Sequence, residues 1–170
     1  MATSATSIIP VEEYLATSYE PECEYLDGEV RQKAMPDSDH SRMQALFVGG
    51  FLALERRYQI WTLPEARVMV RPTRARVPDV CIVRGPARPP RLLTEPPLLC
   101  IEIISPTDTS DDLQDRVDDY LAMGVPCVWV VNPRTRRGWM YTSDGIKEAK
   151  DGILHMRNPD ISIPIPALFD

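Results

Sequence analysis

The chain has 170 residues, 44% of them hydrophobic and 26% charged, with a formal net charge of −6, a composition that suits one globular domain able to bury its own core and excludes extended disorder. No apolar run approaches the ~18 residues of a membrane helix, and residues 1–9 have neither the basic start nor the apolar stretch of a signal peptide. Membrane insertion and export are therefore not expected, and the cytoplasm is the expected compartment.

In chain order, residues 1–9 read as a flexible start and 10–170 as a single domain. Pro10 suits the first turn of a short helix with Val11, Tyr14 and Leu15 on one face. Residues 24–35 read as a β-hairpin turning at Asp27-Gly28, a favoured two-residue turn pair. Ser38 or Asp39 can cap a helix that runs to about Tyr58, burying Met43, Leu46, Phe47, Gly50, Phe51 and Leu54. Short strands follow near 60–63, 66–70, 79–83 and 98–105. Five prolines between 85 and 97 make the loop before the last of these stiff and unfit for a central strand. Residues 108–123 read as a helix with Leu113, Val117, Tyr120 and Leu121 inward and Gly124 at its stop. The apolar run 127–131 reads as a strand buried on both faces. Lesser strands are expected at 139–142, 146–149, 153–156 and 161–165, with hairpin turns at Asp144-Gly145 and Asp151-Gly152.

Strand 98–105, the following helix and strand 127–131 form a right-handed parallel crossover, while 79–83 and 98–105 pair antiparallel across their loop. The expected fold is α/β, a mixed central sheet flanked by helices. Cys81, Cys100 and Cys127 lie in apolar runs and no pair of cysteines has CxxC spacing; with Cys23 they read as free, mostly buried thiols rather than a zinc site. The segment 67–91 holds seven arginines and one acid. It reads either as a phosphate-binding surface or as a solvated face paired with the acidic remainder.

Two carboxylates have surroundings wrong for a charge. Asp79 precedes Val-Cys-Ile-Val, and Glu102 lies within Leu-Leu-Cys-Ile-Glu-Ile-Ile. An unpaired carboxylate there would cost several kcal/mol, so each needs a cation, an arginine or a proton. In a hairpin symmetric about its loop the two stand opposite one another. Such a pair suits Mg²⁺ or Mn²⁺, which takes one or two carboxylates and leaves positions for phosphate oxygens. The other reading is that each acid pairs with a nearby arginine.

Five segments carry a resemblance: Glu24-Tyr-Leu-Asp-Gly-Glu29, Met35-Pro-Asp-Ser-Asp-His40-Ser, Pro78-Asp79-Val, Ile101-Glu102-Ile-Ile-Ser105-Pro106, and Asp119-Tyr120-Leu-Ala-Met-Gly124-Val-Pro-Cys-Val-Trp129-Val-Val-Asn-Pro133. In this order the chain resembles the bacterial family of putative restriction endonucleases within the PD-(D/E)xK nuclease superfamily, from about residue 10 to the closing Pro166-Ala-Leu-Phe. The resemblance implies a restriction-endonuclease-like core. It also implies metal-binding roles for Asp79 and Glu102 with a strand carbonyl near Ile103, a third acid at Glu29, and an active-site-edge histidine at His40.

The sequence departs from the superfamily pattern at its lysine. Two residues after Glu102 stands Ile104, and the following helix carries Arg116 where relatives place the lysine. Arginine can clamp a phosphate but cannot act as a base. As a surface residue with Asp112 and Asp119 one turn away, Arg116 is expected to tolerate substitution, and Arg116→Lys to raise activity. The implied function is Mg²⁺- or Mn²⁺-dependent hydrolysis of DNA phosphodiesters, with Arg116 placing the phosphate and the 67–91 arginines tracking the backbone. Nucleic acid is the expected partner, a membrane is not, and a homodimer is compatible with the reading. The alternatives are a non-cleaving nucleic-acid-binding or regulatory protein of the same fold, and a structural domain whose acids sit in salt bridges.

Overall fold

A computed structural model describes residues 8–165; residues 1–7 of the expected flexible start over 1–9 and the closing Pro166-Ala-Leu-Phe lie outside them. The elements are α1 (Val11–Ala16), β1 (Cys23–Leu26), β2 (Glu29–Gln32), α2 (Ser38–Leu52), α3 (Glu55–Tyr58), β3 (Ile60–Pro64), β4 (Arg67–Arg71), β5 (Arg74–Arg76), β6 (Val80–Arg84), β7 (Leu92–Leu93), β8 (Leu99–Ile103), α4 (Ser110–Met123), β9 (Val128–Asn132), β10 (Arg137–Thr142), β11 (Gly145–Glu148), β12 (Ile153–Met156) and β13 (Ile161–Pro164).

A six-stranded sheet of order β11-β10-β9-β8-β6-β3 forms the centre. Its β8–β9 pair is parallel and joined through α4, and β6 runs antiparallel to β8. Successive strand residues point to opposite faces. On one face Ile82, Leu99, Ile101, Trp129 and Val131 receive Met43, Phe47 and Phe51 of α2. On the other, Cys81, Cys100, Val128 and Val130 receive Val117 and Tyr120 of α4. Each large side chain buried this way contributes about 1.5–3 kcal/mol. Glu102 follows Cys100 by two residues and so faces α4 as well.

The expected mixed central sheet flanked by helices is present, and a second sheet accompanies it. This second sheet of five strands, β2-β1-β5-β4-β7, packs Val68 and Val70 of β4 against α4. It depends on a β4–β5 hairpin, with Arg71 opposite Arg74, for which Pro72-Thr73 gives no strong turn signal. Within the proline-rich loop only the two-residue β7 pairs, at the edge, as the lost amide donors require. Asp151-Gly152 joins no hairpin, because β12 pairs with β13 in a separate ribbon. The β1–β2 turn is as expected: Asp27 and Gly28 have φ of 52° and 104°, the left-handed region a two-residue hairpin needs. The first long helix is capped by Asp37, whose side chain accepts from the His40 amide, rather than by Ser38 or Asp39. It ends at Leu52, and the separate α3 carries the chain on to Tyr58.

Cys81, Cys100 and Cys127 are buried and free, and Cys23 is half-buried. Burial pushes the Cys81 thiol up to about 12 and Cys127 to about 11, and raises Cys100 well above its ordinary value. Since the thiolate is the reactive form, native protein mixed with a disulfide reagent at neutral pH is expected to label Cys23 alone, the other three reacting only in denaturant. Prompt labelling of more than one thiol would contradict this burial.

Candidate active site

Asp79 immediately precedes β6, and Glu102 lies in β8. The register Val80↔Ile101 and Cys81↔Cys100 carries on to set Asp79 opposite Glu102, as the symmetric-hairpin reading expects. Both are almost wholly buried, at 2% and 1% exposure. They form the floor of a solvent-open cleft whose lining also includes Lys33, His40, Ile103, Asp108 and Arg116.

Asp79 is held by several groups. Its Oδ2 accepts from the Ile103 amide at 2.6 Å and lies 3.2 Å from His40 Nε2. Its Oδ1 accepts from Lys33 Nζ at 2.6 Å. Gln44 Nε2 of α2 donates to its carbonyl at 2.9 Å. Burial alone would raise the carboxyl, but the Lys33 ammonium and the His40 hydrogen bond outweigh it and hold Asp79 well below the usual carboxylate range. Glu102 Oε1 accepts from Tyr120 Oη at 2.7 Å, and Arg116 Nε stands 3.2 Å from Oε2. Here burial prevails: the Glu102 carboxyl is raised, although Lys33 and Arg116 pull it down.

Lys33 is the functional residue that sequence reasoning missed. It follows β2 directly and donates to the Val77 carbonyl at 2.7 Å as well as to Asp79, with Glu102 Oε2 at 3.9 Å. The two acids raise its ammonium further above the ordinary lysine value against the pull of burial. The only available signal was its rarity, since the chain has three lysines beside sixteen arginines. Tyr120, expected as an inward helix residue, also reaches the site through its hydrogen bond to Glu102.

Four of the expected site residues, His40, Asp79, Glu102 and Arg116, come together, and the Ile103 amide joins them by donating to Asp79. His40 is 5% exposed, and its Nδ1 has no partner among the described residues. Glu29 is corrected. It begins β2 beside the hairpin turn and pairs with Arg31 at 2.9 Å. The cleft lies at the opposite, open end of that hairpin, where Pro21, Glu22, Gln32 and Lys33 line it.

Arg116 is corrected too. It is buried rather than exposed, and its partners are Glu102 and Asp108, the latter at 2.8 Å, not Asp112 and Asp119. Asp119 instead accepts Arg71, Arg74 and Arg76. The arginines of 67–76 therefore do not form a free phosphate-binding surface. Arg67 pairs with Glu22, Arg74 with Asp27, Asp115 and Asp119, and Arg76 with Glu24, Asp115 and Asp119. Reversing Arg74 and Arg76 would test folding, not a nucleic-acid contact. In this tract Arg84, Arg88 and Arg91 remain exposed.

Among the described residues no three His, Cys, Asp or Glu side chains form a metal-holding group, and no helix is long and apolar enough to cross a membrane. The family model Uma2, described as putative restriction endonuclease, matches residues 11–160. The crystal structure of a putative nuclease from Anabaena variabilis is similar at a TM-score of 0.79 and 21% identity, over 95% of this chain and 97% of that one. The two chains share one α/β architecture. No curated protein matches this chain.

Proposed function

We propose that this chain, which belongs to the Uma2 putative restriction endonuclease family, is a nuclease that hydrolyses DNA phosphodiester bonds with Mg²⁺ or Mn²⁺. The observation that carries this reading is the pair of buried carboxylates, Asp79 and Glu102, facing each other at the floor of an open cleft.

The donor set fits a hard divalent ion. Such ions take oxygen ligands and need only one or two carboxylates besides water and substrate. The lining acids Glu22, Glu65, Asp79, Glu102 and Asp108 outnumber Lys33 and Arg116, and one oxygen of each central carboxylate, Asp79 Oδ1 and Glu102 Oε2, already faces a cationic nitrogen. Asp79 and Glu102 would hold the ion, with the Ile103 carbonyl as a third oxygen. When bound, it would lower the pKa of a water and offset charge on the scissile phosphate.

The chain's own residues prepare that site. The Ile103 amide and His40 fix one oxygen of Asp79, and Tyr120 fixes one oxygen of Glu102, so neither carboxylate reorients when substrate arrives. Arg116 bridges Glu102 and Asp108 and acts as a positioning residue for Glu102 rather than as a free phosphate clamp.

The test is nicking of supercoiled plasmid by the full chain in Mg²⁺ or Mn²⁺, with EDTA and Asp79→Asn as blanks. Nicking that needs the divalent ion and is lost in Asp79→Asn is the expected result. A folded, metal-saturated wild type that shifts plasmid on a gel without nicking it would replace this reading with a non-cleaving nucleic-acid-binding protein of the same fold.

A further inference from the structure

The two carboxylates at the floor of the cleft are not waiting with open oxygens. Asp79 Oδ2 is occupied by the Ile103 amide and His40, and Glu102 Oε1 by Tyr120. The remaining oxygens are Asp79 Oδ1, with the Lys33 ammonium at 2.6 Å, and Glu102 Oε2, with Arg116 Nε at 3.2 Å and the Lys33 ammonium at 3.9 Å.

We propose that Lys33 is the resident counter-ion of Asp79 and Glu102, and that a divalent cation reaches the two carboxylates only by displacing it. This rests on the metal-binding reading of the site given above and adds its regulation: Lys33 sets the concentration at which the site loads.

A divalent cation on Asp79 Oδ1 would stand against the Lys33 ammonium, which donates to that same oxygen at 2.6 Å, and like charges at that range repel strongly in a site of low dielectric. Loading and the Lys33 contact are mutually exclusive. Lys33 is also built to leave. It lies on the segment between β2 and α2 that has neither helix nor strand, and its four-carbon stem is unbranched with freely rotating torsions. Its side chain is 17% exposed at the cleft wall, so the ammonium swings into the cleft without crossing the core. Its anchors are the Val77 carbonyl and the two acids. Arg116 offers a contrast, since it lies on α4 and is clamped between Glu102 and Asp108.

A displaced ammonium swung into the cleft can pair with an anion delivered from outside. A phosphate group of a bound nucleic acid supplies it. Loading of the cation and binding of the phosphodiester then favour each other, because the phosphate holds Lys33 away from the carboxylates. By linkage the coupling works equally in both directions. Without nucleic acid, the lysine stays paired with Asp79 and the site stays lightly loaded.

The test is calorimetric titration of Mn²⁺ into wild type, Lys33→Met and Lys33→Arg, with folding checked by circular dichroism. Methionine keeps the length of the side chain and removes its charge; arginine keeps the charge. Lys33→Met is expected to bind Mn²⁺ at least tenfold more tightly than wild type, and Lys33→Arg to bind it as weakly as wild type. Equal affinity in Lys33→Met and wild type overturns this inference and leaves the metal reading standing. Absence of Mn²⁺ binding in every folded protein overturns both. Tighter binding in Lys33→Met with no nicking by any protein supports this inference while removing the nuclease reading. Wild type gives a second readout that needs no variant. Reductive methylation of Lys33, followed by mass spectrometry against Lys147 and Lys150 as internal references, is expected to accelerate several-fold when Mn²⁺ is added. An unchanged rate ratio overturns the inference.

Discussion

Arg76→Ala is expected to lower the stability of the fold by about 3–5 kcal/mol, the cost of stripping the cation from a buried ion cluster. Arg76 lies on β5 at 3% exposure. Its Nη1 donates to Glu24 at 2.8 Å, its Nε to Asp119 at 2.7 Å, and its Nη2 to Asp115. Glu24 and Asp119 are themselves buried. Asp119 would keep Arg71 and Arg74, but Glu24 would keep only the Val77 amide at 3.3 Å. The cluster ties the five-stranded sheet to α4, so its loss is felt between layers rather than within one. Urea unfolding of Arg76→Ala beside Arg137→Ala is the measurement. Arg137 pairs with Glu148 on the surface, where solvent screens the charges, and its removal should leave the midpoint in place. Matching midpoints for the two variants would refute the structural role of Arg76.

Arg116→Ala is expected to cost about 3 kcal/mol for the same reason, and Arg116→Lys distinctly less. The guanidinium fork reaches Glu102 and Asp108 together, whereas a lysine ammonium at the end of a shorter stem serves one of them. A helix-surface position would shift stability by only about ±0.5 kcal/mol, so denaturation curves separate the buried placement from the exposed one that the Asp112 and Asp119 spacing suggests. The structure also removes the premise for expecting Arg116→Lys to raise activity. That expectation assumed a site without a lysine, and Lys33 already brings an ammonium to the two acids. Activity of Arg116→Lys is now expected to be no higher than that of wild type. A gain would mean that a proton-shedding group is needed at residue 116 itself.

Much of the framework is legible in the sequence because it is written in short-range pattern. The apolar runs around residues 80, 100 and 129, with an amphipathic helix between the last two, leave few ways to build a sheet, and the parallel crossover through α4 follows from handedness. The setting of Asp79 against Glu102 is legible for a related reason. Strand residues alternate with a period of two, and the pair is symmetric about the loop, so one register puts both acids on one face. The buried thiols are readable from their apolar neighbours in the same way.

Sequence alone therefore determined the central strands, the helix between them and the carboxylate pair, since local periodicity and the energetic cost of a buried charge act on neighbours along the chain. Only the tertiary structure decided which cation meets which acid. Lys33 reaches Asp79 across 46 residues and Arg76 reaches Asp119 across 43, and charge has no period that encodes such a choice. The β4–β5 hairpin brings Arg71, Arg74 and Arg76 onto α4, which turns an apparently free basic tract into an internal ion cluster. The open end of the β1–β2 hairpin brings Lys33 to the carboxylates and leaves Glu29 at the far end. Ion pairs form by distance in space, and distance in space is settled only when the sheets and the helix between them have packed.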